Sequence, residues 1–347
     1  MSMRHAPRLA RPGRLAWLLG LLALLGLASL GVGAGRVGFG DAWGWLAAGG
    51  HAADPHAAMV LERLRLPRLI AALAVGAALG LAGVLLQTVT RNPLAEAGLL
   101  GVNSGAAFAV ALGLSLLGQL GLPGQMAWAL GGALTGSVLV LLLARAGEGE
   151  ASPLRLVLAG IALTATCHGL MAFLLLSRQD SLDQFRFWVM GSLARLTPSL
   201  LWTGLPVLAA GALACLPLRR PLAALTLGDD QARGLGLNPE RIRLLAVLAA
   251  GVLAGASVAL VGPVAFLGLV APYFARALGG IAVGVQLVFS AVFGALLLLA
   301  ADIAARVLVA PFEAPASAVL AVVGAPLVIW MVRSDALLSL TRTGAEG

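Results

Sequence analysis

The sequence predicts an all-α fold, a polytopic integral membrane bundle of about ten transmembrane helices. Three observations carry this. Of 347 residues, 60% are hydrophobic and only 11% charged, where soluble domains carry about 25% charge. Long apolar runs recur, each near the roughly 20 residues that cross a bilayer as a helix. Within each run the apolar residues are continuous rather than alternating, which disfavours an outer-membrane β-barrel. Little sequence is left over for a separate soluble domain.

Taken in order, residues 1–14 form a polar cytoplasmic tail with Arg4, Arg8, Arg11 and Arg14. The apolar run from Leu15 to about Gly35 exceeds the roughly 7–15-residue core of a signal peptide and reads as a retained first span. Leu69 to Val89 forms the second span, between Arg68 and Arg91. Further runs lie at about 98–118, 126–144, 156–176, 198–217, 243–261, 264–278, 284–301 and 316–332. The run 264–278 is short and holds Pro272 and Arg276, so an oblique or incomplete crossing is expected; the stretch 262–301 also permits other divisions. The transmembrane domain is thus 15–333, its longest inner loop 219–243, and 334–347 a C-terminal tail. With the N-terminus inside, 15 of the 23 arginines fall on the cytoplasmic side and 8 outside. That bias predicts two cytoplasmic termini.

Composition removes several function classes. All 23 basic residues are arginine, a genomic habit in a chain so rich in Gly, Ala and Leu. Without lysine there is no phosphate-binding G-x-x-x-x-G-K-[ST] loop and no Schiff-base nucleophile, so nucleotide-driven work needs another polypeptide. Cys167 and Cys215 lie in apolar runs and imply no disulfide framework. The histidines at 5, 51, 56 and 168 are scattered, and Cys167-His168 lacks a third ligand nearby, so no metal site is expected. Dispersed arginines also argue against nucleic acid. Gly76 with Gly80, Gly251 with Gly255, and Gly280 with Gly284 stand at helix-contact spacing, as close packing in lipid requires.

Charge breaks the pattern in three places. Glu62-Arg63-Leu64-Arg65-Leu66-Pro67-Arg68 puts three arginines at the outer mouth of the second span. Interfacial snorkelling explains them, and so does a docking surface for an acidic partner, because arginine binds carboxylates bidentately. Arg91-Asn92-Pro93-Leu94-Ala95-Glu96 reads locally as a plain helix start, with Asn92 as N-cap, Pro93 at the first position and Glu96 near the positive end of the dipole. The inner loop carries Leu225 to Gly236, an acidic, glycine-bounded amphipathic element. A lipid-surface helix would be basic, so a protein partner fits better. Within the last outward span Asp302 and Arg306 are one turn apart and able to pair, with Glu313 just beyond. No chain of buried Asp, Glu or His suits a proton relay, which weighs against a gradient-driven secondary transporter.

In order, these segments resemble the FecCD family of permease subunits of ABC importers for ferric siderophores, haem and vitamin B12. The matching text starts near residue 63 and includes Arg65-Leu-Pro-Arg68, Gly76-Ala-Ala-Leu-Gly80, Gln87, Arg91-Asn-Pro-Leu-Ala95 and Leu100-Gly-Val-Asn-Ser-Gly-Ala106. Beyond these come Trp188-Val-Met-Gly-Ser-Leu193, Leu227-Gly-Asp-Asp-Gln-Ala232, Gly262-Pro-Val-Ala-Phe-Leu-Gly-Leu-Val270, Ala301-Asp-Ile-Ala-Ala-Arg306 and Gly324-Ala-Pro326. The resemblance implies a non-catalytic, cofactor-free inner-membrane subunit. Its partners would be membrane lipid, a second identical or related permease chain, ATP-binding cassette ATPase subunits inside and a soluble substrate-binding protein outside. It further implies that Arg65, Arg68 and Arg306 meet carboxylates of the binding protein. Leu227, Gly228, Asp229, Asp230, Ala232, Leu235 and Gly236 would couple to the ATPase, and Asn92 and Leu94 would help form the cytoplasmic gate. The Trp188 segment resembles the siderophore branch more than the vitamin B12 branch; haem and cobalamin stay open. The chain departs from the family at Pro272-Tyr-Phe-Ala-Arg276, where Tyr273 stands in place of a common histidine.

Overall fold

The computed structural model describes residues 12–33, 37–50, 54–98, 100–146, 153–176, 179–309 and 312–333; the predicted tail 334–347 and residues 1–11 of the other tail lie outside them. Helices run as α1 (Pro12–Gly31), α2 (Phe39–Ala47), α3 (Pro55–Val60), α4 (Leu66–Thr90), α5 (Val102–Leu117), α6 (Leu122–Arg145) and α7 (Pro153–Leu176). They continue as α8 (Gln179–Val189), α9 (Pro198–Thr226), α10 (Asp229–Gly234), α11 (Pro239–Val261), α12 (Leu267–Gly279), α13 (Val283–Leu308) and α14 (Ala316–Arg333). No strand occurs among the described residues. Each of the ten predicted spans coincides with a helix. Seven are long and apolar enough to cross a membrane, while α5, α12 and α14 are shorter apolar helices.

Local sequence sets the helix starts. The Thr197 hydroxyl accepts from Leu200 N–H with Pro198 next in line, and Asn238 accepts from Arg241 N–H ahead of Pro239. Both place a side-chain acceptor and then proline where a first turn has unused N–H groups. The reading of Asn92 as a helix N-cap is corrected. Arg91 turns into the left-handed region at φ 49, residues 92–98 form turns, and the next helix opens at Val102. Asn92 Oδ1 does accept from Leu94 N–H at 2.9 Å, but it closes a turn.

Backbone contact through glycine builds the centre, where α4 meets α13, α12 and α11. Gly76 and Gly80 of α4 face Gly294 and Ser290 of α13, so closely that a Cβ on Gly76 or Gly80 would overlap the carbonyl of Gly294 or Ser290. The Ser290 hydroxyl donates to Gly80 O at 2.8 Å. Gly251 and Gly255 of α11 lie against Ser137 and Ala133 of α6. The third predicted pair fails: Gly280 is a C-cap at φ 96 and Gly284 faces open space, because the chain turns between α12 and α13 there.

The short span resolves as a helix too short to cross by itself. At 13 residues, α12 rises about 20 Å, short of the roughly 30 Å hydrocarbon core. Residues 262–266 reach it without helix. Irregular backbone at such depth must be covered by protein, and it is: Gly262 lies against Trp188 O and Gly191, and Phe266 N–H is met by the Glu96 carboxylate.

Candidate functional site

At the mouth where α4 begins, α3 runs into α4 through a π-helical turn, Leu61–Arg65, in which Leu66 N–H bonds back to Leu61 O. Pro67 explains the turn, since its ring removes a donor and crowds the carbonyl one turn back; such bulges are frequent at functional sites. The extra residue rotates Arg65 inward while Arg63 stays exposed. Arg65 is 5% exposed and donates to Leu30 O at 2.5 Å and Val37 O at 2.9 Å. Arg306, 4% exposed, donates to Ser29 O at 2.9 Å, Val32 O at 2.8 Å and Ser29 Oγ at 2.6 Å. Both guanidinium groups therefore satisfy the carbonyl end of α1, whose last groups have no partner within the helix and carry its negative pole.

Arg68 sits between them. Its Nε donates to Asp302 Oδ1 at 2.8 Å and its Nη1 to Glu313 Oε2 at 2.7 Å. Asp302 is fully buried and also pairs with Arg306 at 2.9 Å, as the one-turn spacing predicted. Arg65, Arg68, Arg306 and Glu313 line one pocket of about 160 Å³, together with Leu193 and Leu196. The structure thus brings the three predicted arginines together, with two of them committed to internal carbonyls.

At the opposite mouth, α10 stands between Gly228 at φ 126 and Gly236 at φ 77. Ala232 is buried, while Leu227, Leu235 and Asp230 point outward. Asp229 turns inward instead. Its carboxylate accepts from Arg243 Nη2 at 2.8 and 2.7 Å and from Arg91 Nη2 at 2.6 Å. Partial burial pushes this carboxyl up, but the Arg243 hydrogen bond and the charges of Arg243, Arg91 and Arg233 outweigh it and hold it below the usual carboxylate range. Arg91 and Arg243 carried no role in the sequence reading; a basic residue at the end of one span and another five after a cap are unremarkable until the fold joins them.

Leu94 packs with Leu269, Val270 and Tyr273 of α12 and with Met331 of α14. The Tyr273 that replaces the expected histidine is thereby buried beside the predicted gate leucine, edge-on to Phe274 at 5.7 Å. Two residues on, Glu96 Oε2 accepts from Phe266 N–H at 3.1 Å. Phe266 is the left-handed N-cap of α12, so Glu96 serves the dipole of that helix rather than of its own. Gln87 holds the same helix from α4, accepting from Arg276 Nη1 at 2.6 Å.

Burial pushes the Glu96 carboxyl up, the Phe266 hydrogen bond offsetting part of this. A carboxyl raised in the folded state contributes its full stability below the ordinary value of about 4.3 and loses it as pH rises through the folded value. Glu96→Gln keeps the acceptor and removes the charge. It is expected to flatten the fall in unfolding temperature as pH rises above the ordinary carboxylate value of about 4.3 in detergent; an unchanged pH profile would refute this role.

A sequence model described as the FecCD transport family matches residues 21–334. The ferric enterobactin transport system permease FepD of Escherichia coli (strain K12) is 47% identical over 282 residues, 81% of this chain and 82% of that one. The hemin transport system permease HmuU of Yersinia pestis is 37% identical over 339 residues, covering 96% of this chain and 97% of that one. Among solved structures, an inward-facing conformation of a metal-chelate type ABC transporter superposes with a TM-score of 0.83 at 30% identity, covering 93% of this chain and 100% of that chain.

Proposed function

The chain belongs to the FecCD transport family, and from that membership we propose that it is the permease subunit through which an iron–siderophore-type chelate crosses the bacterial inner membrane. Two unlike mouths on one bundle carry the reading. One gathers three guanidinium groups around a pocket, suited to carboxylates of an incoming acidic binding protein. The other presents a short acidic helix with exposed Leu227 and Leu235, suited to a groove in an ATPase. The predicted arginine bias orients the α10 mouth, with both termini, toward the cytoplasm. A chain without lysine takes its energy from ATP hydrolysed on partner subunits. A second permease chain, identical or related, completes the pathway, and Asn92 and Leu94 contribute to its inner closure.

For substrate, the ferric enterobactin permease shares 47% identity, against 37% for the hemin permease and 39% for a vitamin B12 permease of Salmonella typhi. This favours a ferric siderophore. The test is purification of the complex from its native membrane, followed by mass spectrometry of its chains and bound ligand. The expected result is an ATP-binding cassette subunit, a soluble binding protein and a ferric chelate. Haem or cobalamin would replace the substrate, and uptake that persists without an ATPase but collapses with a protonophore would overturn the reading altogether.

A further inference from the structure

We propose that Arg91 is the positioning residue that carries movement of α10 to the gate loop, an inference that rests on the importer reading above. Arg91 ends α4 in the left-handed region at φ 49, a conformation that non-glycine residues keep only where the surroundings enforce it. What enforces it is visible. Nη2 donates to Leu225 O at 3.1 Å, near the end of α9, and to Asp229 Oδ1 at 2.6 Å, the first residue of α10.

The carboxylate between the two arginines is held unequally. Arg243 of α11 contacts both of its oxygens and its side chain is 3% exposed, whereas that of Arg91 is 43% exposed. The Arg243–Asp229 pair seats α10 on the bundle. The Arg91–Asp229 pair is half in solvent, where an ion pair contributes little stability, so its value is where it ties the chain.

That place is the start of the gate loop. The next residue, Asn92, closes its turn onto Leu94 N–H, Leu94 packs on α12 and α14, and Glu96 caps α12. Between Asp229 and Leu94 there is one ion pair and three residues, with hydrogen-bonded turns throughout. A shift of α10 is transmitted to the gate leucine and to the foot of α12 through Arg91. Without it, Asp229 keeps Arg243, and α10 stays seated but disconnected.

The experiment uses the full complex in proteoliposomes, with ATP hydrolysis and uptake of the ferric chelate measured on the same vesicles. For Arg91→Gln the expected result is hydrolysis still stimulated by loaded binding protein, with chelate imported per ATP lowered about tenfold, within the usual range of coupling between sites. Arg91→Lys, which keeps the charge, restores part of the ratio. Arg243→Gln, which unseats α10, lowers both rates together. An unchanged ratio in Arg91→Gln, or a parallel loss of both rates, overturns the role of Arg91 while leaving the importer reading intact. Absence of ATP-dependent uptake in the unmodified complex would instead overturn the importer reading.

Discussion

Arg68→Gln is expected to weaken binding of the loaded binding protein to the reconstituted complex by about thirtyfold or more. Truncating one partner of a desolvated, hydrogen-bonded charge pair costs about 2–5 kcal/mol. Arg68 is the arginine of the pocket with capacity to spare: its Nε and Nη1 serve Asp302 and Glu313, leaving Nη2 for an incoming carboxylate. The substitution removes the Arg68 hydrogen bond to buried Asp302 but leaves that carboxylate paired with Arg306 and Glu313 partly in solvent, so affinity is compared on variant complex that assembles at the unmodified yield. Arg65 and Arg306 behave differently. Their donors satisfy the end of α1 and, for Arg306, the fully buried Asp302. Arg306→Gln removes one partner of that buried charge, as Arg68→Gln also does, and in addition strips the Ser29 and Val32 carbonyls of their donor, so it is expected to fail in assembly first. Affinity measured on nanodisc-embedded complexes separates the two. Unchanged affinity in Arg68→Gln would remove the docking assignment, and a well-folded, docking-defective Arg306→Gln would reverse the division of labour.

That division was not legible in the sequence. Residue type and position placed Arg65, Arg68 and Arg306 at one mouth, and the Asp302–Arg306 pair followed from helical spacing alone. Spacing counts on regular helix, however, and the π-helical turn Leu61–Arg65 shifts the phase of what precedes Pro67, turning Arg65 to the interior. Glu96 failed for a related reason. A carboxylate four residues after a candidate N-cap is read against its own helix, but the N–H it satisfies belongs to Phe266, distant in sequence. The span count survived because it depends only on the length of apolar runs, which the bilayer sets. The Asp229 network joins ends of three helices that periodicity treats separately, and only the fold brings Arg91 and Arg243 to one carboxylate. Helix-contact glycines were half legible. The spacing found Gly76 with Gly80, yet the tightest contact on α12 involves Gly83, outside that pattern.

Gly83→Ala is expected to destabilise the permease more than any other alanine on α4, by about 1–3 kcal/mol or more. An added Cβ would overlap Gly268 O, lying 2.8 Å from its carbonyl carbon and 2.9 Å from Pro272 Cγ. Gly268 offers only backbone and Pro272 a closed ring, so no rotamer relieves the clash and α12 must move off α4. The contact thus fixes the depth of a helix too short to span the membrane, and with it the height at which Leu269 and Tyr273 meet Leu94. Gly131→Ala supplies the contrast. That glycine lies within α6 and faces open space, so alanine there gains about 0.5–1 kcal/mol of helix propensity with nothing to displace. Thermal unfolding in detergent compares the two directly: a lowered midpoint for Gly83→Ala beside an equal or raised one for Gly131→Ala is expected. Equal midpoints would mean that α12 is not seated on α4 through this contact, and that the gate loop takes its position from Glu96 and the Gln87–Arg276 pair instead.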